Sequence, residues 1–132
     1  MHDSVKNALI KDGWVILADP FRLTYQEFRL FADLAAERPF AVEREGRKII
    51  VEVKTFAGLS FIKELEQALG PYKIYLDIIA ELQLDFELYL AVSDRIYDAL
   101  FEREGAKMIV RRNNLRLIVV QVDEQRIVQW IS

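Results

Sequence analysis

The chain has 132 residues, of which 52% are hydrophobic and 30% charged, and its formal net charge is −3 at pH 7. This composition excludes a disordered segment and a strongly basic nucleic-acid binder, although it permits a basic patch on one face. Cysteine is absent and histidine occurs once, at His2, which excludes disulfide scaffolds, thiol nucleophiles and cysteine-based zinc sites. A metal bound here would need oxygen ligands, which favours Mg²⁺, Mn²⁺ or Ca²⁺ over zinc.

The length predicts a single domain over residues 1–132. We find no signal peptide and no apolar run of the roughly 18 residues that a membrane span needs, so we expect a cytoplasmic protein without a membrane partner. The apolar fraction is high for a small chain, which indicates an additional buried surface such as a homodimer interface.

The first third of the chain predicts one helix followed by extended segments. Residues 3–12 place apolar side chains at helical spacing, and Gly13 directly after them favours a helix end. The dipeptide Asp19-Pro20 predicts a turn. Around this turn, β-favouring residues predict short strands at 14–17, 22–26 and 28–34.

The clearest hairpin signal lies in residues 40–56, which contain a predicted turn at Gly46-Arg47. Side chains of a strand alternate between its two faces. In the second strand of this hairpin, the alternation predicts an apolar face toward the core, made of Ile49, Val51 and Val53. Glu52 and Lys54 leave the opposite face, which they share with Ile50.

A long helix is predicted to begin after Ser60, which is suited to the N-cap, and to continue to residue 82. Pro71 removes one backbone hydrogen bond from it, which predicts a kink. Apolar side chains keep to roughly one face of the helix, at Ile62, Leu65, Leu69, Leu76 and Ile79. The rest of the chain predicts a strand at 86–92, short helices at 95–101 and 105–112, and strands at 115–122 and 126–131. This order predicts an α/β fold with a mixed central sheet flanked by helices.

Glu52 and Lys54 are the strongest candidates for chemistry, because they stand roughly 7 Å apart on one face of a strand. A carboxylate in this position can share a divalent cation with a second acid. The lysine can orient an attacking water and offset charge on a scissile phosphate. The pair therefore predicts hydrolysis of a phosphodiester. The alternative is a solvent-facing row of Lys48, Glu52 and Lys54 with no catalytic role.

This arrangement resembles the PD-(D/E)XK nuclease superfamily, whose restriction-endonuclease-like core has the order α-β-β-β-α-β. Its signature is an acid on one strand and Glu-x-Lys on the next, matched here by Glu52-Val53-Lys54. The preceding acid is Asp33 or Glu43. Asp33 is the commoner residue type for this role, whereas Glu43 lies on the strand expected to pair with that of Glu52. The resemblance implies Mg²⁺ or Mn²⁺ held by Glu52 and one of these acids.

A closer resemblance covers nearly the whole chain. Five segments in the same order are similar to the XisH family of cyanobacterial controlling factors for excision of the fdxN DNA element, namely residues 2–14, 33–43, 48–56, 68–72 and 127–131. The resemblance implies a restriction-endonuclease-like fold and a role in programmed DNA rearrangement. It also implies action beside a XisI-like partner protein and a site-specific recombinase.

Two residues depart from the family pattern. Pro71 stands where family members have a glutamine, whereas Tyr75 fits the tyrosine that follows this glutamine in some related nucleases. Ala35 replaces a family glycine, which argues against a strained turn at that point.

Other residues have weaker functional interpretations. Arg103, Lys107 and Arg111 fall at i, i+4 and i+8, so they predict a basic stripe that either contacts DNA phosphates or is a solvated helix face. Tyr75 is either a DNA contact or a core residue with a satisfied hydroxyl, as are Tyr72 and Tyr89. A ligand role for His2 is the weaker interpretation, because it stands beside the first residue. Trp14 and Trp130 are expected in the core.

Two functions follow from the sequence. The first is a Mg²⁺-dependent nuclease, or a nuclease-derived DNA-binding factor, that acts in DNA element excision. The second is a non-catalytic module that keeps the nuclease-like fold and recruits a partner protein. The acidic net charge and Pro71 favour the second.

Overall fold

The computed structural model describes residues 1–38 and 46–132. Its elements are, in chain order, helix α1 (His2–Lys11), strands β1 (Val15–Ala18), β2 (Phe21–Tyr25), β3 (Phe28–Ala32), β4 (Leu34–Arg38) and β5 (Arg47–Val53), helix α2 (Phe61–Glu81), strand β6 (Glu87–Ser93), helix α3 (Asp94–Ile96), a π-helical segment (Tyr97–Phe101), helix α4 (Glu104–Arg112), and strands β7 (Leu117–Gln121) and β8 (Arg126–Ile131).

A six-stranded mixed sheet of order β1-β4-β5-β6-β7-β8 organises the fold, and β2 and β3 form a separate two-stranded sheet. β5, β6 and β7 are parallel neighbours, whereas β1 with β4, β4 with β5, and β7 with β8 are antiparallel. The predicted α/β fold with a mixed central sheet flanked by helices is confirmed. α1, β1, β4, β5, α2 and β6 follow the predicted α-β-β-β-α-β order, with the β2-β3 hairpin inserted after β1.

The segment around residues 28–56 differs from its prediction. The expected strand 28–34 divides at Asp33, where the chain leaves the small sheet and enters the large one. The expected first arm of the hairpin falls on residues 39–45, which lie outside the described residues. β5 pairs instead with β4, Leu34 opposite Val51, and Arg47 belongs to β5 rather than to a turn.

Helices cover both faces of the sheet, α1 on one side and α2 on the other. β5 therefore has buried apolar side chains on both faces, as is typical of a central strand with parallel pairing. Ile49 and Val51 join the α1 core, as predicted, and Ile50 is fully buried in the α2 core. The interpretation of a solvent-facing row on the face of Glu52 is wrong, because this face lies under α2.

Ser60 is the N-cap of α2, as the sequence predicts, and its Oγ accepts a hydrogen bond from Lys63 N–H at 3.4 Å. α2 continues through Pro71 without interruption. Gln67, whose carbonyl loses its donor at Pro71, is exposed, and so is Pro71, so water can satisfy this group. Ile62, predicted to belong to the apolar face of the helix, is 55% exposed, so this part of the prediction is wrong.

The aromatic residues behave largely as core residues. Trp14 is buried, and its ring centroid lies 5.6 Å from that of Trp130. Tyr72 donates its hydroxyl to the Leu88 carbonyl at 3.2 Å and accepts from Arg116 N–H at 3.1 Å. These contacts confirm the predicted core roles. The predicted helix at 95–101 is instead the short α3 followed by the π-helical segment.

None of the helices in residues 1–38 and 46–132 combines the length and apolar character that a bilayer crossing requires.

Candidate functional site

The sheet brings polar residues from distant segments to one of its edges. β1 ends at Ala18 opposite Ala35, while β4 starts opposite the end of β5. The end of β5 lies beside Ala91, near the end of β6. Asp33, Glu52 and Lys54 meet at this edge, where the carboxyl ends of the parallel strands lie. Ligand sites of open α/β sheets are commonly found at such edges.

Asp33 and Glu52, called here the acid pair, are joined by reciprocal hydrogen bonds through the main chain. The N–H of Asp33 donates to Glu52 Oε1 at 2.9 Å, and the N–H of Val53 donates to Asp33 Oδ2 at 2.7 Å. Each carboxylate is thus held by the backbone of the segment that carries the other. Both retain a second oxygen that can bind a ligand.

The acid pair carries unfavourable negative charge. Burial raises the pKa of Glu52 to about 7, and the neighbouring Asp33 carboxylate adds to the increase. The hydrogen bond from Asp33 N–H and the positive charge of Lys54 oppose it. A cation at this position would favour the ionised form of Glu52.

Tyr75 lies beside the acid pair but belongs to the core. Its side chain is 8% exposed, and its hydroxyl donates to the Phe31 carbonyl at 3.2 Å. Burial raises the pKa of Tyr75 to about 12, and the charges of Glu52 and Asp33 contribute. The structure therefore favours the core role of Tyr75 over the predicted DNA contact.

Lys54 follows β5 directly, and its N–H donates to the Ala91 carbonyl at 3.0 Å. Its side chain lines a cleft of about 170 Å³ together with Glu64 and Gln67 at the start of α2. Gln67 lies one helical turn before Pro71, so a side-chain amide is available close to that position.

The loop behind this cleft is held at two points. Phe56 has a φ of 50°, a left-handed conformation that is rare for a bulky residue, and it packs edge-on against Phe101 in the core. Glu64 Oε1 accepts from Gly58 N–H at 3.0 Å. A Cβ on Gly58 would lie 2.9 Å from the Glu64 carboxylate, so any side chain at this position would displace that carboxylate.

Three further residues lie at the same edge, a position that the sequence pattern did not predict. His2 Nε2 lies 2.9 Å from Asp19 Oδ1, and its Nδ1 lies 3.9 Å from Asp33 Oδ1. Lys6 Nζ donates to Asp19 Oδ2 at 2.8 Å, and this bond lowers the pKa of the Asp19 carboxyl. Asp19 directly follows β1, as the predicted turn suggests, but the position of His2 between Asp19 and Asp33 depends on contacts that the sequence pattern does not contain.

The remaining predicted residues are placed elsewhere. Glu43 lies outside the described residues. Arg103 is the N-cap residue of α4, and Lys107 and Arg111 are exposed along this helix. Within residues 1–38 and 46–132, no hydrogen bond or ion pair connects this basic stripe, Arg103, Lys107 and Arg111, to the acid pair. The same residues contain no cluster of three or more His, Asp or Glu side chains suited to hold a metal.

The family model of the XisH protein matches residues 1–128, nearly the whole chain. The chain belongs to the XisH family. Among proteins of curated function, no match was found.

Two solved structures are similar over nearly their full length. An XisH family protein from Nostoc punctiforme PCC 73102 has 36% sequence identity and a TM-score of 0.88, over 99% of this chain and 98% of that chain. A fdxN element excision controlling factor protein from Anabaena variabilis has 37% identity and a TM-score of 0.87, over 99% and 97% of the two chains. The XisH family assignment and the mixed α/β fold predicted from the sequence are confirmed.

Proposed function

We propose that this XisH-family chain is a controlling factor for the excision of a DNA element and carries a metal-dependent PD-(D/E)XK-type nuclease centre. The main observation behind this proposal is the acid pair, which is held by main-chain hydrogen bonds of 2.9 and 2.7 Å. Lys54 lies two residues after Glu52. The similar Anabaena variabilis protein is named a fdxN element excision controlling factor, which supports the cellular role.

The acid pair fits Mg²⁺ or Mn²⁺ better than a metal held only by protein ligands. Mg²⁺ is typically bound by one or two carboxylates, with water and substrate phosphate completing its coordination. Asp33 and Glu52 supply this number of carboxylates. The raised pKa of Glu52 supports the fit, because a divalent cation would offset both causes of the increase, the burial of the carboxyl group and the charge of Asp33. When bound, the ion would act as a Lewis acid toward a phosphodiester.

The residues of the chain would divide the remaining tasks. Asp33 and Glu52 hold their carboxylates in fixed positions, which requires little rearrangement when substrate binds. Lys54 orients the attacking water and offsets charge on the scissile phosphate. The net charge of −3 is unfavourable for unaided DNA binding, so we propose that a XisI-like protein and a site-specific recombinase act with it in the cytoplasm.

Incubation of supercoiled plasmid with the protein and Mg²⁺ or Mn²⁺ tests the proposed activity. Lys54→Ala should lower the cleavage rate about 100-fold or more. Lys48→Ala is the matched control, since Lys48 starts from the same face of β5 at its other end, and it should leave the rate nearly unchanged. Equal cleavage by the native protein and Lys54→Ala would contradict the assigned chemistry.

A non-catalytic, partner-recruiting role is the second candidate, and an exposed apolar surface favours it. Phe28 and Phe31 of the β2-β3 hairpin and Ile74 of α2 are each half exposed or more. Phe28 and Ile74 border a groove of about 420 Å³ that also contains Asp77 and Glu81. A XisI-like protein with an apolar surface flanked by basic residues would fit it.

Co-purification with a XisI-like protein distinguishes the two functions. Replacing Phe28 and Ile74 by serine should abolish capture if the groove is the docking surface. Capture by native protein that contains no measurable nuclease activity favours the recruiting role. If the protein without a partner dimerises through this groove, as measured by light scattering, this result would argue against the recruiting role.

A further inference from the structure

We propose that a cavity beside α4, separate from the acid pair, binds a small organic anion with an apolar body. The cavity has a volume of about 340 Å³ and lies between the π-helical segment, α4 and the last two strands. This volume is within the range of small-molecule sites, which are typically apolar concavities with a few polar groups.

The floor of the cavity is apolar and firmly packed. Phe101, Leu115 and Leu117 line it, and each is at most 2% exposed. The ring of Tyr97, also in the lining, lies parallel to that of Phe101 at a centroid distance of 6.3 Å. Such a floor favours an apolar or aromatic group and offers little to a bare inorganic ion.

The part of the cavity rim that α4 supplies is positively charged, and Ser132 also belongs to the lining. Lys107 and Arg111 stand one turn apart on α4, and both are exposed. Neither forms an ion pair with any residue in the described part of the chain. Like charges at i and i+4 repel each other, so an anion between them would relieve this repulsion and accept charge-assisted hydrogen bonds. The polar amide of Asn114 also lies in the lining.

The backbone beside the cavity has an uncommon form. Tyr97–Phe101 is a π-helical segment, a rare conformation that is often found at functional sites. Its first and last residues supply the two parallel rings of the cavity. The apolar floor, the two rim cations and this segment together indicate a ligand with a flat or extended apolar body and one acidic group.

Fluorescence titration with 8-anilinonaphthalene-1-sulfonate, an aromatic sulfonate, tests the proposal directly. The native protein should bind it saturably with a stoichiometry of about one. The double variant Lys107→Ala/Arg111→Ala should weaken binding about tenfold or more. The matched control Arg103→Ala/Arg112→Ala removes the same charge from the same helix outside the cavity and should leave binding within about twofold.

Competition then identifies the acidic group and the body. Dodecanoate or deoxyadenosine monophosphate should displace the probe at concentrations where inorganic phosphate has no effect, and the stronger competitor shows whether the body is aliphatic or aromatic. The proposal fails if the native protein shows no saturable binding, if both double variants weaken it equally, or if phosphate displaces the probe as well as the organic anions do. None of these readouts depends on nuclease activity.

Discussion

The acid pair and the basic stripe are both visible in the sequence, but the fold positions their residues in different ways. Asp33 and Glu52 come from segments 19 residues apart and are joined by two main-chain hydrogen bonds. The basic stripe lies on one continuous helix, yet two of its members border the cavity beside α4 and Arg103 borders another groove with Met108.

This difference shows what each kind of spacing can specify. Strand pairing fixes which residues from separate segments face each other, so a site at a sheet edge is built by register. Helical periodicity specifies only a shared face and leaves open what this face meets. The acid pair is therefore a constructed site, whereas the basic stripe is a surface whose members have different neighbours.

The largest expected effect distinguishes the two acids that the sequence left open. Asp33→Asn keeps an oxygen that can accept from Val53 N–H but removes the charge, so metal-dependent cleavage should fall about 100-fold or more. Glu43→Gln should change the rate by less than about threefold. Plasmid nicking assays measure both. The reverse result would transfer the role of second acid to Glu43.

Removal of the basic stripe is expected to have a smaller effect on DNA. Replacing its three residues with alanine should weaken binding to a labelled duplex about tenfold. If all three contact phosphates, the slope of the logarithm of the binding constant against the logarithm of the salt concentration should become smaller by roughly 3. Fluorescence anisotropy at several salt concentrations measures this. The same replacement at Arg22, Arg29 and Arg112 serves as a charge-matched control. An unchanged salt slope would leave the stripe without a phosphate-binding role.

The pH dependence of stability tests the environment of the acid pair. The pKa of Glu52 is about 7 in the folded protein against an ordinary value of 4.5, so the folded state retains a proton that the unfolded state has lost between these values. The free energy of unfolding should therefore fall as pH rises from 4.5 to 7, by about 1–2 kcal/mol after allowance for partial exposure.

Glu52→Gln supplies the control, because glutamine can still accept from Asp33 N–H but cannot ionise. Urea unfolding should show that the Glu52→Gln variant loses most of this pH dependence of the free energy of unfolding. Near pH 8 and in the absence of metal ions, the variant should be more stable than the native protein. A native slope of the opposite sign would mean that Glu52 is stabilised as a carboxylate.

Two glycines give the smallest expected effects, one behind the acid pair and one on the helix of the basic stripe. Gly58→Ala should destabilise the protein by about 1 kcal/mol, because the new methyl group would displace Glu64 from its hydrogen bond. Gly105→Ala meets nothing within 4 Å inside α4 and should stabilise by about 0.5–1 kcal/mol. Thermal unfolding measures both.

The Glu64→Ala variant is an internal control for the effect of Gly58→Ala. In a Glu64→Ala background, Gly58→Ala should become neutral or slightly stabilising, because the methyl group no longer meets the carboxylate. A loss of stability as large as in the native background would mean that the loop backbone, rather than Glu64, requires glycine.

The structure of single segments could largely be predicted from local sequence patterns. β-favouring residues predicted the strands that become β2 and β3, alternation predicted the shared face of Glu52 and Lys54, and helical spacing predicted α1 and α2. The helical spacing also predicted that α2 runs past Pro71, but it did not predict that this turn is exposed, because exposure depends on how the helix packs. The pairing of β4 with β5 and the approach of His2 to Asp33 depend on contacts between distant segments, which local patterns do not encode.

Calorimetric titration of Mn²⁺ near pH 8 tests the central claim most directly, since it does not depend on finding the DNA substrate. The native protein should bind at a single site. Glu52→Gln and Asp33→Asn should each weaken this binding about tenfold or more, whereas Glu66→Gln on the exposed face of α2 should not. No binding by the native protein, or equal binding by all four proteins, would contradict a metal centre at the acid pair.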